Sequence, residues 1–324
     1  MPADGDLEGV RCPACGGELV WWRSVPSGEP ALGGARFTLR RCTACGSAVT
    51  LGAAPERLHE LGAYRPGQPR LYPLVRPLLE AFDRRRLALL RPLAPVPARL
   101  LDVGAGRGRF VATARAAGYE AEGIEPSGRG VEAAWAIGVP LRHATIDQAS
   151  IGAESLDAVT LWHVLEHLDR PVEALARIAD WIRPGGALLV GVPNLASVHA
   201  RLGGERWYHL DVPRHRVHFT VSGLHALLRR SGFEVVGTHQ VLAEHNPFGM
   251  WQSLMNRVTT TPSYLYNLLK RNAPIRSPDL LVTALGVPLM PIAALCELMA
   301  GAAGRGGTIA VLAARTAHED GSVP

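Results

Sequence analysis

Four of the five cysteines stand in two pairs of one pattern. Cys12 and Cys15 form the first pair, Cys42 and Cys45 form the second, and a glycine follows each pair directly. Four thiolates at this spacing can close a tetrahedral zinc site with no open position. A redox pair is the alternative, but such pairs normally occur singly and open a helix after a strand. The pattern therefore predicts one structural zinc ion.

A glycine-rich loop is the second feature that could do chemistry. An apolar run ending in Asp102 and Val103 leads into Gly104, Gly106 and Gly108, and a helical pattern follows. Glycines there let the backbone approach a ligand closely. Glu125 follows about twenty residues later, where an acid can accept the hydroxyls of a ribose. The loop alone does not separate dinucleotide binding from other nucleoside binding, since both use this device.

Two later segments are rich in histidine and carboxylate side chains. His163, Glu166 and His167 follow the fourth predicted strand, and the segment Asp211–Phe219 follows the fifth. Because ligands of such sheets bind at the carboxyl ends of the strands, both segments are expected to face the same cleft. The candidate residues of the later segment are Arg214, His215 and His218. These groups could position an acceptor or remove its proton.

The elements that must position these residues alternate between strand and helix. Apolar runs predict strands over 98–104, 120–125, 140–144, 156–162 and 187–192, with two more over 233–242 and 308–314. The pattern indicates a doubly wound α/β sheet of Rossmann-like class. The predicted organisation is a zinc ribbon over 1–55, a helical lead-in over 56–97, a core over 98–242 and 306–315, and a helical insert over 243–305.

At these residues the sequence resembles the class I S-adenosylmethionine-dependent methyltransferases. Asp102, Gly104, Gly106 and Gly108 stand in their first motif and Glu125 in the second. Asp147 stands where they commonly hold the adenine ring. The segments Trp162–Leu168 and Ile182–Gly186 match their fourth-strand motif and the turn before the fifth strand. The resemblance implies S-adenosylmethionine as the cofactor. Asp102 would suit it, since S-adenosylmethionine is a cation and has no pyrophosphate.

The histidine-rich stretch has a narrower resemblance. Ubiquinone-pathway O-methyltransferases and small-RNA 2′-O-methyltransferases hold a divalent metal with a Glu-x-x-Glu-His motif and a later histidine. Here Glu166 and His167 match, His163 replaces the first acid, and His215 or His218 would supply the later ligand. A histidine in place of an acid shifts preference away from magnesium. The open alternatives are a general-base histidine, with Arg214 and Asp211 shaping the acceptor pocket, and purely structural histidines.

The resemblance implies methyl transfer to a small or lipid-linked metabolite, with oxygen as the favoured acceptor atom; the Leu-Asp-Val-Pro-Arg-His signature at Leu210–His215 supports this. A non-catalytic cofactor-binding scaffold and an NAD-dependent oxidoreductase are the alternatives. The net charge is +5, but the arginines are scattered, which disfavours nucleic acid as a partner. The run Arg84-Arg85-Arg86 is expected to be a solvated helix face. Without a signal-peptide pattern at the N-terminus, a cytoplasmic location is expected.

The insert contains an apolar stretch over 280–304 with one charged residue, Glu297. Its length approaches that of a bilayer span, but Pro288 and Pro291 are expected to break the helix. Two structures are therefore predicted, a broken hairpin dipping into one leaflet or a lid over the acceptor pocket. Peripheral membrane contact would draw on preceding aromatic and basic residues, namely Trp251, Tyr264, Tyr266, Lys270, Arg271 and Arg276.

Overall fold

The computed structural model describes residues 10–29, 32–52, 72–244, 246–269, 275 and 277–317. The strands are β1 Leu19–Pro26, β2 Arg36–Cys42, β3 Ala48–Thr50, β4 Arg99–Val103, β5 Glu120–Glu125, β6 Arg142–His143, β7 Leu156–Trp162, β8 Ile182–Pro193, β9 Val217–His218, β10 Phe233–His239 and β11 Thr308–Arg315. The helices are α1 Tyr72–Leu90, α2 Arg109–Ala116, α3 Gly128–Trp135, α4 Pro171–Trp181, α5 Val198–Gly203, α6 Val221–Arg230, α7 Asn246–Met255, α8 Tyr264–Leu269, α9 Ser277–Gly286 and α10 Met290–Ala302.

Seven strands form the central sheet, in the order β10-β11-β8-β7-β4-β5-β6. Strands β4 to β8 are parallel, whereas β11 runs antiparallel to both β8 and β10. The inner strands are apolar along almost their whole length because helices cover both faces of the sheet. The doubly wound α/β class is confirmed. The third strand, predicted over 140–144, is only two residues long at the sheet edge.

A second sheet joins the N-terminal segment to the core, in the order β1-β2-β3-β9. Its fourth strand comes from the segment that follows β8, with Ala48 opposite His218 and Val49 opposite Val217. Side chains of the ribbon also share one hydrophobic cluster with the core, in which Leu19 and Cys42 belong with Phe219 and Leu224. The ribbon is thus completed by the histidine-rich segment of the core.

A buried ion network ties α1 to the start of the cofactor-binding region. Arg109 of α2 lies 2.6 Å from Asp83 of α1 and 3.2 Å from Glu244, and Arg86 also pairs with Glu244. The Arg86 side chain is 10% exposed and its guanidinium lies 4.2 Å from the centre of the Trp162 ring. The prediction of a solvated Arg84-Arg85-Arg86 face is therefore wrong for Arg86, which is buried and pairs both with Asp83, three residues away, and with Glu244, 158 residues away.

The insert does not form the predicted broken hairpin. Residues Pro278–Ala302 make one continuous helical stretch, in which α9 passes through a single 3-10 turn, Val287–Leu289, into α10. Pro288 and Pro291 each stand within the first two positions of a helical segment. A proline is tolerated there because its missing N–H would have no partner within that segment. Both prolines are accommodated without a reversal of direction.

Candidate active site

One cavity of about 890 Å³ lies at the carboxyl ends of β4, β5 and β7. This is where an open α/β sheet binds its ligands. The loops after these strands form one half, which we call the cofactor half; its lining includes Gly104, Glu125, Ser127, Ile146 and Asp147. The other half, which we call the acceptor half, draws on more distant segments; its lining includes Glu29, His163, His167, Tyr208, Arg214, His215, Phe248 and Tyr266.

The glycine loop begins where β4 ends. Gly104 has a φ of 70°, and a Cβ atom there would lie 2.5 Å from a methyl group of Val164. A side chain is therefore excluded both by backbone conformation and by space. Gly106, with a φ of 57°, donates its N–H to Glu125 Oε2 at 2.8 Å. The loop is thereby folded against the end of β5.

Glu125 is buried at the wall of the cofactor half. Its second oxygen accepts the N–H of Ser127 at 2.9 Å, so two backbone amides fix the carboxylate. Burial raises the pKa of this carboxyl, although the Ser127 and Gly106 N–H groups act in the opposite direction. Asp147 lies at the cavity rim, where its side chain is 73% exposed. Both positions allow the nucleoside contacts that the sequence predicts.

Asp102 does not occupy the position beside the cofactor that the sequence predicts. It does not line the cavity; its carboxylate is buried within the sheet and accepts the Thr160 hydroxyl of β7 at 2.6 Å. Burial raises its pKa to about 7, while the Thr160 hydrogen bond acts to lower it. The side chain links β4 to β7 beneath the glycine loop. The charge expected beside the cofactor is thus withdrawn into the sheet.

A carboxylate and two imidazoles converge in the acceptor half. One ligand atom each from Glu166, His167 and His215 lies within 4.8 Å of the others. Glu166 and His167 stand on one 3-10 turn directly after β7, preceded by His163 in a left-handed conformation with a φ of 55°. Among the residues that the structure describes, the buried Glu166 Oε2 has no hydrogen-bond partner. One oxygen atom of the Glu166 carboxylate therefore receives no hydrogen bond from the described part of the protein.

Hydrogen bonds fix the orientation of both imidazoles. His167 Nδ1 lies 3.2 Å from the carbonyl of Arg214, and His215 Nδ1 lies 2.8 Å from the carbonyl of His209. A carbonyl accepts only, so each ring carries its proton on Nδ1 and its lone pair on Nε2. Histidines that bind metals are commonly held in this way.

His163 and its neighbours control the charge of Glu166. His163 Nδ1 lies 3.0 Å from Glu166 Oε1. Burial alone would raise the pKa of the Glu166 carboxyl, but this hydrogen bond and electrostatic interactions with His163, His167 and His215 lower it to about 2. The carboxylate is therefore ionised at neutral pH. His163 also stacks on His209, with 6.1 Å between ring centres.

The ribbon reaches into the acceptor half. Glu29 pairs with Arg214, which also binds Asp211 at 2.9 Å. Thr50 of β3 donates its hydroxyl to the carbonyl of His215 at 2.8 Å. Glu29 was missed by sequence reasoning because a pairing across 185 residues has no local signature. The ribbon therefore supplies both a wall of the cavity and a support for one imidazole.

His218 is not among the residues that line the cavity. It is buried in β9, where its Nε2 lies 2.9 Å from the Thr50 hydroxyl. Burial, with a smaller contribution from the neighbouring His215, lowers its pKa to about 3. Of the two later histidines named from the sequence, the structure places His215 beside Glu166 and His167.

Helices α7 and α8 close the acceptor half with aromatic side chains. Tyr208 contacts Phe248 and Tyr266 edge to face, with ring centres 5.6 Å and 5.5 Å apart. Tyr208 and Phe248 were not singled out from the sequence. Trp251 and Tyr264, expected at a membrane interface, are instead fully buried, and Tyr266 lines the cavity. Lys270, Arg271 and Arg276 lie outside the described residues. No residue of 277–304 lines the cavity, so that stretch is not its lid.

The four cysteines gather at one end of the ribbon. Cys12 Sγ lies 3.7 Å from Cys45 Sγ, and Cys15 Sγ lies 3.4 Å from Cys42 Sγ. All four sulfur atoms lie within 4.8 Å of one another. Tetrahedral coordination with zinc–sulfur bonds of about 2.3 Å separates the sulfur atoms by about 3.8 Å. The donor set and its spacing therefore fit a zinc ion.

The fold and cavity are those of a class I methyltransferase that uses S-adenosylmethionine. A family model described as "Methyltransferase domain" matches residues 76–238, half of the chain, and the chain belongs to that family. It is an S-adenosylmethionine-dependent methyltransferase.

Individual proteins of known name give a more specific comparison than the family model. The ubiquinone biosynthesis O-methyltransferase of Ruegeria pomeroyi is 30% identical over 179 residues, which are 52% of this chain and 71% of that protein. The enzyme of the same name from a Cereibacter sphaeroides strain is 25% identical over 200 residues, 58% of this chain and 79% of the relative. Among solved structures, a methyltransferase from Archaeoglobus fulgidus aligns with a TM-score of 0.49 and 18% identity, covering 76% of this chain and all of the other.

Proposed function

We propose that this methyltransferase transfers the methyl group to an oxygen atom of a small, lipophilic acceptor. The observation that carries the proposal is the cluster of Glu166, His167 and His215, which opens into the same cavity as the glycine loop and Glu125. Methyl transfer needs the acceptor held in line with the sulfonium, and a hydroxyl acceptor must also lose its proton. This cluster offers groups for the second task.

The cofactor half supplies the binding groups for S-adenosylmethionine. The glycine loop would hold its amino-acid part, Glu125 its ribose and Asp147 its adenine ring. When bound, the cofactor provides an electrophilic methyl group on a cationic sulfur. The nearby Glu125 carboxylate is already held by two backbone N–H groups, so ligand binding needs no large rearrangement of that side chain.

Glu166, His167 and His215 would hold a divalent metal ion. Three observations support this: their ligand atoms converge, Glu166 Oε2 has no protein donor among the described residues, and both imidazoles present Nε2 lone pairs. One carboxylate and two imidazoles favour a nitrogen-tolerant metal over magnesium. A bound ion would supply Lewis-acid stabilisation of an acceptor oxyanion. His163 would then act on Glu166 as its orienting partner, whereas the sequence suggested it as a ligand.

Catalysis without metal remains the competing mechanism at the same residues. His167 and His215 contact each other edge to face, with ring centres 4.7 Å apart, and both line the cavity. Either Nε2 could accept the acceptor proton directly. Arg214, held by Asp211 and Glu29, would orient an anionic or carbonyl group of the acceptor in both mechanisms.

The acceptor half suits a lipophilic ring. Tyr208, Phe248 and Tyr266 present aromatic surface beside the polar cluster, which is the composition expected of a small-molecule site. The relatives are named as O-methyltransferases of the biosynthesis of ubiquinone, itself a quinone. We therefore propose a hydroxylated aromatic or quinol acceptor.

Transfer of a labelled methyl group from S-adenosylmethionine to catechol and quinol acceptors tests this function. We expect an O-methylated product, loss of activity after EDTA treatment and recovery on adding back one divalent metal at a time. Activity that resists EDTA would eliminate the metal and leave the histidine base. A product methylated only on carbon or nitrogen, or binding of NAD in place of S-adenosylhomocysteine in calorimetry, would contradict the proposal.

We also propose that Cys12, Cys15, Cys42 and Cys45 bind one structural zinc ion. The sulfur spacings given above support it, as does the absence of any further ligand position in a four-thiolate set. Its function would be to hold the end of the ribbon from which β3, and with it Thr50, follows.

A further inference from the structure

The helical stretch Pro278–Ala302, which we call the outer helix, is long and apolar enough to cross a membrane by length and composition. Its 25 residues span about 37 Å at the usual helical rise. Only 22% of its most apolar window is buried within the protein. Its polar groups are turned inward: Asp279 and Glu297 are each 2% exposed.

The exposed face of the outer helix carries nine aliphatic or methionine side chains, each between 40% and 70% exposed: Leu280, Leu281, Leu285, Val287, Leu289, Ile292, Leu295, Leu298 and Met299. No charged side chain interrupts this face, since Asp279 and Glu297 are the only charged residues of the stretch. An uninterrupted apolar surface of this extent marks an interaction site.

The inner side of the outer helix is fixed to the protein. Glu297 accepts the N–H of Gly307 at 2.6 Å, Asp279 accepts the N–H of Thr260 at 2.7 Å, and the carbonyl of Gly286 accepts from the Trp251 indole at 2.7 Å. Strand β11 of the central sheet begins six residues after the helix ends. The helix therefore cannot cross a bilayer without breaking up the sheet, but it can lie along one.

Arginines without acidic partners flank the end of the outer helix. Arg305 follows the helix by three residues and lines a surface cavity together with Arg201, Arg23 and Arg41. Within the part of the chain that the structure describes, none of these four guanidinium groups has a carboxylate within 4.0 Å. A second copy of the chain would bring the same surface and the same cations, so self-association would leave them uncompensated.

We propose that the outer helix and this arginine cavity dock the protein on an anionic lipid bilayer. The aliphatic side chains enter the boundary between headgroups and acyl chains, as in other interfacial helices, and the arginines contact lipid phosphates. The helix lies flat, and Asp279 and Glu297 keep their bonds to the protein. The active-site cavity shares α7 with this surface, because α10 packs on α7 and Phe248 of α7 lines the cavity.

Flotation with vesicles of phosphatidylcholine alone and of phosphatidylcholine with phosphatidylglycerol tests the proposal. Wild-type protein is expected to float with the anionic vesicles and to be released as salt is raised. The variant Leu281→Gln/Ile292→Gln/Leu295→Gln should lose at least about tenfold in apparent affinity, because three aliphatic side chains no longer enter the lipid. Arg201→Gln/Arg305→Gln should lose about fivefold per arginine on anionic vesicles only.

A matched control replaces three exposed aliphatic residues outside the insert, Val75→Gln/Ile137→Gln/Val236→Gln, and should float like the wild type. Failure of the wild type to float, or flotation of the outer-helix variant at wild-type affinity, would overturn the proposal. A wild-type dimer that this variant converts to monomer would instead assign the face to self-association. An environment-sensitive dye on exposed Cys296 of the unmutated helix provides a second readout; an emission unchanged by anionic vesicles would also overturn it.

Discussion

The two halves of the cavity are assembled in different ways. The cofactor half comes from the contiguous segment that runs from β4 to the loop after β6, in which each ligand-facing loop follows its own strand. The acceptor half combines the ribbon, the loops after β7 and β8, and helices α7 and α8. A local unit tolerates change elsewhere in the chain, whereas a composite one depends on every element that enters it. Perturbations of the ribbon or insert should therefore impair methyl transfer before they impair cofactor binding.

Among the variants proposed here, Glu166→Gln should show the largest difference between its effect on methyl transfer and its effect on cofactor binding. The substitution keeps the shape of the side chain but removes the negative charge that His163, His167 and His215 surround. Whether the cluster holds a metal or a proton, we expect the turnover number to fall by about 100-fold or more. Binding of S-adenosylhomocysteine, measured by calorimetry, should change little.

Two comparisons control this experiment. Glu122→Gln, an exposed acid that pairs with Arg142 and does not line the cavity, should leave both measurements close to wild type. Glu125→Ala should instead weaken S-adenosylhomocysteine by about tenfold or more, since a carboxylate on the cavity wall is lost. If Glu166→Gln weakens the ligand as strongly as Glu125→Ala does, the halves are not independent.

Cys42→Ser tests whether the acceptor half depends on the ribbon. Loss of one thiolate should remove the zinc ion and loosen β2 and β3, and with them the bond from Thr50 to the His215 carbonyl. We expect methyl transfer to fall about tenfold while S-adenosylhomocysteine still binds. Elemental analysis should find one zinc per wild-type chain and none in the variant.

Cys296→Ser is the matched control, because Cys296 is exposed and lies outside the cysteine cluster. It should retain both zinc and activity. Wild-type protein without zinc after treatment with a chelating resin, or a Cys42→Ser protein with full activity, would show that the ribbon needs no metal to support the cavity.

Asp102→Asn is expected to change activity least, because Asp102 does not line the cavity; its effect falls on stability in the cofactor half. The folded-state pKa of Asp102 is raised to about 7, so the folded chain retains a proton that the unfolded chain releases near pH 4. Stability is therefore lost as pH rises through these values, by about 4 kcal/mol in full if this group acts alone. Asparagine cannot titrate and can still accept from Thr160.

Urea unfolding across this pH range measures the effect. The wild type should lose more unfolding free energy with rising pH than Asp102→Asn, which should be the more stable of the two above pH 7. Equal slopes for both proteins would show that Asp102 has an ordinary pKa, and that its burial in the sheet is compensated by other charges.

The contrast between a local cofactor half and a composite acceptor half also explains which site residues could be predicted from the sequence. Gly104, Gly106, Gly108 and Glu125 follow directly from a strand-loop-helix pattern, and the structure places Gly104 and Glu125 on the cavity wall. Glu29, Tyr208 and Phe248 carry no such signal, because their contacts join elements far apart in the chain.

Two errors have the same origin. The charge run predicts solvent exposure for Arg86 because it does not reveal Glu244, the distant partner of this side chain. Pro288 and Pro291 do interrupt the α-helix, with a 3-10 turn at Val287–Leu289, but the hairpin expected from them is absent because each proline stands in the first turn of a new helical segment. Local composition does not predict the environment of a residue where contacts between distant segments determine it. The acceptor half is made largely of contacts of this kind.

The edge pairing of β3 with β9 also sets an order of events during synthesis. The ribbon leaves the ribosome first, but its fourth strand stands at Val217–His218. At about 5–20 residues per second, translation of the intervening chain takes roughly ten to thirty seconds. Through that interval β3 has an unpaired edge, and Thr50 lacks the His215 carbonyl that it later binds. The same pairing that finishes the ribbon sheet fixes the His215 backbone beside the cavity, so a nascent chain completes its N-terminal sheet and positions this imidazole together, before Phe248 and Tyr266 join the acceptor half.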